Sequence, residues 1–385
     1  MNNSSQITKL LPVMLTFFTM GFVDLVGIAT NYIKADFVLS DTLANLMASM
    51  VFVWFFLLSV PTGLLMNKIG LKKTVLLSLL VTIPSLLIPL ISYSFVSMLI
   101  SFTLLGIGNT LMQVSLNPLL ASIVSGKRMS SSLTFGQFVK AIASFIAPIL
   151  AAWAAVKFGD WRFILYPAFA AIAIIAFFYL GVVRIEEEKI ADKPVSLKES
   201  FGLLGDKYVL VFFLGIMAHV GLDVGINATA PKLLMEHLGV SLSVAGYATS
   251  FYFIFRTVGC LMGSYLLAKF GDRRVFIVSI SMILIGILCL FSYNETIMYT
   301  GIGLFGLGNS NIFPVMFSQA LVRVPGSQNE VSGLMITGIS GGAIFPLLMG
   351  VASDTLKSQG GALIILLLLI SYLFILVFPK VKQNI

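Results

Sequence analysis

The sequence predicts an all-α membrane protein whose twelve transmembrane helices form two pseudo-symmetric six-helix bundles. Three observations predict it: few charged residues, apolar runs of membrane-spanning length and an internal repeat. Of 385 residues, 58% are hydrophobic and 10% are charged, whereas about 25% are charged in soluble domains. This composition indicates a polytopic membrane protein.

Apolar runs of about 20 residues, bounded by charged residues or by Gly, Pro and Asn, predict twelve helices. These lie near residues 10–33, 43–66, 74–93, 95–122, 131–156, 161–182, 208–234, 243–268, 274–292, 296–322, 328–353 and 361–379. One long hydrophilic stretch separates six helices from six. We therefore expect an N-terminal bundle at 1–183, a cytoplasmic linker at 184–207 and a C-terminal bundle at 208–385.

The distribution of basic residues predicts the orientation of the chain. With both termini in the cytoplasm, most of the 24 Lys and Arg residues fall in cytoplasmic loops, which agrees with the positive-inside rule. This bias also accounts for the net charge of +8, so the charge does not require a nucleic-acid partner. We expect a monomeric, multi-pass inner-membrane protein whose partners are lipid and a small solute.

Three segments recur in register at a period of about 200 residues. The segment around Asp24 recurs around Asp223. Gly106–Asn109 recurs as Gly306–Asn309, and Lys68–Lys73 recurs as Lys269–Arg274. Two related six-helix halves with a site near the membrane midplane are typical of secondary transporters.

Two carboxylates inside the predicted spans are candidate coupling residues, since a charged group in the membrane costs about 2.5–3.5 kcal/mol and is usually functional. They are Asp24 in the first span and Asp223 in the seventh. Lys140 is the expected neutralising partner of Asp24, although it could instead receive the carboxylate of an acidic sugar. Arg256 is expected to pair with Asp223 or with the inner loops.

Amides and a histidine at helical spacing predict a substrate pocket. His219, Asp223 and Asn227 form one stripe, and Asn109, Gln113 and Asn117 form another. Amides donate and accept hydrogen bonds, which suits sugar hydroxyls, but hydrogen bonding between helices is the alternative for each residue. The predicted substrate-binding set is Asp24, Asn109, Gln113, Asn117, Gln137, Lys140, His219, Asp223, Asn227, Asn309 and Asn311.

The segment Gly63–Lys73 resembles the loop 2–3 signature of the major facilitator superfamily, with Asn67 where the family usually has Asp. The resemblance implies the major facilitator fold and a gating role for this loop and its repeat. An amide at position 67 is expected to weaken the gate, and the lysines could instead only enforce topology. The implied gating residues are Asn67, Lys68, Gly70, Lys72, Lys73, Arg256, Gly271, Arg273 and Arg274.

Within the superfamily, the chain resembles the fucose:proton symporter family of sugar transporters. The resemblance rests on Asn117-Pro118, Phe313-Pro314, the glycine-rich stretch 332–342 that leads to Asp354, and the positions of Gln137 and Arg256. Gln113 replaces the coupling glutamate of that family, and the aspartate of its first span corresponds to Ile28 in this chain. Asp24 is therefore the expected substitute.

These observations predict a sugar importer that works by alternating access and is coupled to protons or to sodium. The alternatives are a proton-coupled drug exporter, an organic-anion carrier and a membrane sensor that does not translocate. The sequence holds no cofactor or metal motif, and the glycine pattern at 301–306 lies inside an apolar helix instead of at the helix start that binds a nucleotide. The chain is therefore not expected to be an enzyme.

Overall fold

A computed structural model describes residues 3–39, 41–124, 129–185, 197–240, 245 and 247–377. In these residues all regular structure is helical, and ten helices are long and apolar enough to cross a membrane. With the broken helix 295–323 and the shorter apolar helix 360–375, the helices follow the twelve predicted spans. Spans 1 to 6 are Asn3–Met20 continued by Gly21–Leu25 and Val26–Asp36, then Asp41–Ile69, Leu71–Ile91, Phe95–Ile123, Met129–Phe158 and Leu165–Val182. Spans 7 to 12 are Lys207–Leu238, Tyr247–Phe270, Asp272–Leu290, Glu295–Asn309 with Ile312–Arg323, Gln328–Thr337 continued by Gly338–Ser340 and Gly341–Leu356, and Gly360–Ile375.

The predicted linker ends in a short helix, Leu197–Gly202, and residues 186–196 lie outside the described part of the chain. Asp206 then caps the N-terminus of span 7. Its carboxylate accepts hydrogen bonds from the backbone amides of Tyr208 at 2.8 Å and Val209 at 3.2 Å. Partial burial opposes the effect, but these bonds and Arg323 hold the pKa of Asp206 below its usual value.

Three spans are interrupted where the sequence predicts continuous helices. Span 1 tightens to a 3-10 helix at Gly21–Leu25, span 10 breaks between Asn309 and Ile312, and span 11 has a 3-10 turn at Gly338–Ser340. Interrupted helices free backbone carbonyls inside a membrane bundle, and in transporters such breaks typically mark the solute site.

The described residues divide into two compact units. Unit 1 comprises Met1–Ser125, Val139–Gly202 and Val324–Thr337, and unit 2 comprises Gly126–Phe138, Leu203–Arg323 and Gly338–Ile385. The change from unit 1 to unit 2 at Gly202 falls within the predicted linker. The units differ from the predicted bundles because the start of span 5 groups with unit 2 and the start of span 11 groups with unit 1.

The repeated Gly-x-Gly motif allows close helix contacts within each unit. In unit 1, a Cβ on Gly106 would lie 2.6 Å from the carbonyl oxygen of Val51 on span 2. In unit 2, a Cβ on Gly306 would lie 2.6 Å from the carbonyl oxygen of Tyr252 on span 8. Span 4 therefore packs on span 2, and span 10 on span 8, so closely that only glycine fits at these positions. Close helix packing explains why the motif is repeated.

The glycines of the two repeated loops are explained by their backbone conformation. Gly70 ends span 2 with φ 91° and Gly271 ends span 8 with φ 78°. Positive φ is accessible to glycine at little cost but is unfavourable for residues with a Cβ. Each glycine therefore permits a one-residue turn between successive spans.

Candidate functional site

The first polar group lies in unit 1 around Asp24, inside the 3-10 segment of span 1. The Asp24 carboxylate lies 3.5 Å from Lys140 Nζ of span 5 and accepts a 2.6 Å hydrogen bond from Ser144 Oγ. The predicted pairing of Asp24 with Lys140 is therefore confirmed. The two spans can approach because a Cβ on Gly21 would lie only 2.5 Å from the carbonyl oxygen of Lys140.

The amides of span 4 support the interruption in span 1. Asn109 Nδ2 donates to the carbonyl oxygen of Met20 at 3.1 Å, and Gln113 Nε2 donates to Asn109 Oδ1 at 2.9 Å. These bonds satisfy a carbonyl at the point where the helix tightens. Asn109 thus makes the contact between helices that was the alternative to substrate binding, and the half-buried Gln113 extends the chain of amides.

The other predicted residues of spans 4 and 5 make fewer contacts. Asn117 Nδ2 donates to the backbone carbonyl of Gln113 at 2.9 Å, while its buried Oδ1 has no partner among the described residues. Gln137 is half-buried one turn before Lys140 on span 5. The substrate roles of both residues stay predictions.

The second polar group lies in unit 2 around Asp223. Arg256 Nη1 lies 2.8 Å from one carboxylate oxygen and 3.1 Å from the other. The Tyr252 hydroxyl also donates to Asp223, and it accepts a 2.8 Å hydrogen bond from Asn309 Nδ2. The expected pairing of Arg256 with Asp223 is therefore confirmed. Arg256 lies about 22 Å from Gly271 along span 8, and its gating role stays a prediction.

Buried polar atoms without partners lie near the Asp223 group. They are Nδ1 of His219, Oδ1 of Asn227 and Oδ1 of Asn309, none of which makes a hydrogen bond of ordinary geometry within the described residues. Such an atom costs about 1–3 kcal/mol when it stays unsatisfied. A bound solute with hydroxyl groups would supply partners, since a hydroxyl both donates and accepts. Asn311, also predicted in this set, lies apart from the group against Gly263 of span 8.

The carboxylates of Asp24 and Asp223 differ in their exposure and in the groups that bind them. The side chain of Asp24 is 34% exposed and its cation is at 3.5 Å, beyond ordinary hydrogen-bond length. Asp223 is 17% exposed and is held by both Arg256 and the Tyr252 hydroxyl. Asp24 is therefore the carboxylate that can exchange its partner, and Asp223 is the one fixed in place.

The predicted gate in loop 2–3 has an acidic partner that the sequence analysis missed. Asn67 Nδ2 donates to the carboxylate of Glu330, and Asn67 Oδ1 accepts from Asn329 Nδ2 at 2.6 Å. Glu330 is only 3% exposed and lies in the first turn of span 11, where the helix N-terminus stabilises a negative charge. The acidic group of this site is therefore on span 11, and the strength of the gate stays a prediction.

The three lysines of this loop differ in their contacts. Lys72 Nζ donates to the backbone carbonyls of Gly181 at 2.9 Å and Val183 at 2.7 Å, so it caps the C-terminus of span 6. Lys68 and Lys73 are exposed. The structure therefore gives Lys72 a structural contact and leaves the gating role of all three lysines a prediction.

The repeated loop 8–9 carries a second acidic residue that the sequence analysis did not single out. Asp272 accepts hydrogen bonds from Ser130 Oγ at 2.8 Å and Gln319 Nε2 at 2.7 Å, within unit 2. Arg273 and Arg274 beside it are exposed. Asp272 follows Gly271, whereas the acidic position of the loop signature precedes the glycine and corresponds to Ala268 in the repeat, so the signature did not indicate it.

Comparison with known proteins identifies the family. The family model of the Major Facilitator Superfamily matches residues 13–229 and 213–384. This chain belongs to that superfamily. The glucose/galactose transporter of Brucella abortus is 25% identical over 361 residues, which cover 89% of this chain and 87% of the relative. The putative glucose/galactose transporter of Helicobacter pylori is 23% identical over 393 residues, with 94% and 93% covered.

Solved structures show the same fold. The E. coli fucose:proton symporter superposes with a TM-score of 0.83 at 15% sequence identity, and the match covers 97% of this chain and 98% of the symporter. The fold expected from the loop signature and the glycine-rich spans is therefore confirmed. The chain is a multi-pass membrane protein of a transporter superfamily.

Proposed function

We propose that this protein imports a neutral sugar by alternating access and that the transport is coupled to protons through Asp24. The observation that most directly supports this proposal is the contact of Asp24 with Lys140 and Ser144 at the interrupted part of span 1. The names of the Brucella and Helicobacter relatives support a hexose as the substrate. The proposal places the protein in the inner membrane as a monomer, with both termini in the cytoplasm.

The ammonium group of Lys140 favours protons over sodium. A sodium ion needs several oxygen ligands, and at Asp24 it would lie beside a positive charge that is already 3.5 Å from the carboxylate. A proton needs only one carboxylate oxygen. Protonation would cancel the attraction to Lys140, so the Asp24 and Lys140 side chains could separate during the cycle, while the Ser144 hydroxyl could stay bonded to Asp24.

The polar atoms of spans 7 and 10 favour a polyhydroxylated substrate. The amide oxygens of Asn227 and Asn309 accept hydrogen bonds, and Nδ1 of His219 accepts or donates according to its tautomer. Sugar hydroxyls both donate and accept. Because Arg256 already neutralises Asp223, this group offers a substrate no net charge. A neutral sugar fits it better than a sugar acid does.

Uptake into proteoliposomes tests the proposal. Radiolabelled glucose, galactose, fucose and glucuronate are supplied under an inward proton gradient or an inward sodium gradient. We expect saturable uptake of at least one neutral sugar, driven by the proton gradient alone. Uptake driven by sodium at uniform pH would refute proton coupling, and saturable uptake of glucuronate alone would refute the neutral substrate.

A further inference from the structure

A groove in unit 2 lies among spans 8, 9 and 10, away from the Asp223 group. It has a volume of about 380 Å³, which is within the range of about 300–1,000 Å³ typical of small-molecule sites. Its walls are almost entirely apolar. The apolar lining includes Met262, Leu266, Phe270, Val278, Met282 and Leu307.

Small residues on span 8 create the groove. A Cβ on Gly259 would lie 2.5 Å from Ser310 Oγ, and a Cβ on Gly263 would lie 1.7 Å from Asn311 Oδ1. Span 10 therefore packs directly on the backbone of span 8, and no side chain from this stretch fills the space beside span 9. The rim residues Met262 and Val278 are 52% and 58% exposed. In a membrane such exposed apolar side chains contact acyl chains.

One end of the groove is positively charged. Arg274 lines it at the start of span 9, is exposed, and has no ion-pair partner in the described part of the chain. Lys269 and Arg273 flank it in the same loop. In the proposed orientation this loop lies at the cytoplasmic leaflet, where anionic lipids attract basic residues with about 1 kcal/mol each.

The polar residue Asn311 lies deeper in the groove. It is only 6% exposed and packs against Gly263, about 12 Å along span 8 from Gly271. An occupant whose phosphate lies on Arg274 therefore places its acyl chain, and not its headgroup, beside Asn311.

We propose that this groove binds an anionic phospholipid of the phosphatidylglycerol type, with one acyl chain along spans 8 and 9 and its phosphate on Arg274. The apolar length from Arg274 to Met282 is about 12 Å along span 9, so the groove takes the upper part of an acyl chain. The leaflet assignment rests on the orientation in the proposed function. Lipid binding itself is measured without transport, so either proposal can fail alone.

Native mass spectrometry of the full chain in detergent measures the binding of dioleoyl phosphatidylglycerol and dioleoyl phosphatidylcholine. We expect wild type to bind phosphatidylglycerol about five-fold more tightly, the factor that corresponds to about 1 kcal/mol. Arg274→Gln removes this preference. The matched variant Arg273→Gln removes the same charge one residue away and keeps the preference. Equal affinity for the two lipids in wild type, or an equal loss in both variants, overturns the site.

A second measurement tests the apolar part of the groove. Met262→Trp adds an indole to the three native tryptophans, so wild type is measured as the reference. Brominated acyl chains on phosphatidylglycerol should quench the fluorescence added by Met262→Trp more strongly than the same chains on phosphatidylcholine. The single variant Val278→Trp places an indole in the groove. It should abolish the tight binding of phosphatidylglycerol in the mass spectra. Unchanged lipid binding in Val278→Trp, or equal quenching by both lipids, contradicts occupation of the groove.

Discussion

The contact between Asn67 and Glu330 gives a quantitative prediction for the gate. Glu330 is 3% exposed and accepts a hydrogen bond from the Asn67 amide. Hydrogen bonds to charged groups contribute about 1.5–3 kcal/mol. Replacing Asn67 with the aspartate usual in the superfamily would instead place two carboxylates in contact. At about 3 Å and an effective dielectric constant near 20, the repulsion is about 5 kcal/mol.

The order of melting temperatures in detergent follows from these numbers. Glu330→Gln keeps the packing and loses only the charge, so it should lower the melting temperature by a few degrees. Asn67→Asp should lower it much more. The double variant, Asn67→Asp with Glu330→Gln, restores one carboxylate facing one amide and should recover most of the loss.

Nonadditivity is the decisive readout, since two residues in contact give coupling energies of about 0.5–3 kcal/mol or more in a double-mutant cycle. Glu295→Gln, an exposed acidic residue in the first turn of span 10, controls for the loss of one negative charge. If Asn67→Asp melts like wild type, or if the two changes simply add, the contact does not operate as the structure indicates.

Three further predictions test other contacts. Tyr252→Phe removes the hydroxyl between Asp223 and Asn309 and should both raise the KM for sugar several-fold in uptake assays and lower the melting temperature, because a buried hydrogen bond to a charged group is lost; a lowered melting temperature with an unchanged KM would exclude a positioning role. Lys72→Met removes the cap on two carbonyls of span 6 and should lower the melting temperature by the equivalent of about 1 kcal/mol, with exposed Lys73→Met as its control. Gly106→Leu should abolish folded protein in fluorescence-detected size exclusion, because even a Cβ meets the span 2 backbone, whereas Gly205→Leu, with open space around it, should not.

The sequence predicted the features that depend on composition and spacing along single helices. Span number follows from apolar length, and the pairing of Asp24 with Lys140 and of Asp223 with Arg256 follows from the high cost of leaving a charge unpaired in a membrane. Once each charge is assigned a depth along its own helix, few partners are within reach.

Features that depend on which helix faces meet could not be predicted in this way. The tight turn around Asp24 depends on the backbone contact between Gly21 and span 5, and Glu330 meets Asn67 only because spans 2 and 11 pack together within unit 1. Asn309 and Asn311 looked equivalent in the sequence. The helix of span 10 ends at Asn309 and resumes only at Ile312, so Asn309 contacts Tyr252 while Asn311 lies against Gly263.

Sugar-driven proton movement tests the central claim most directly. Proteoliposomes with a pH-sensitive dye inside are given a transported sugar without any imposed ion gradient. In wild type, sugar entry should acidify the lumen, and the exposed acid variant Glu295→Gln should behave identically. Asp24→Asn should still exchange labelled for unlabelled sugar but move no protons. Acidification by Asp24→Asn at the wild-type rate would contradict coupling through Asp24.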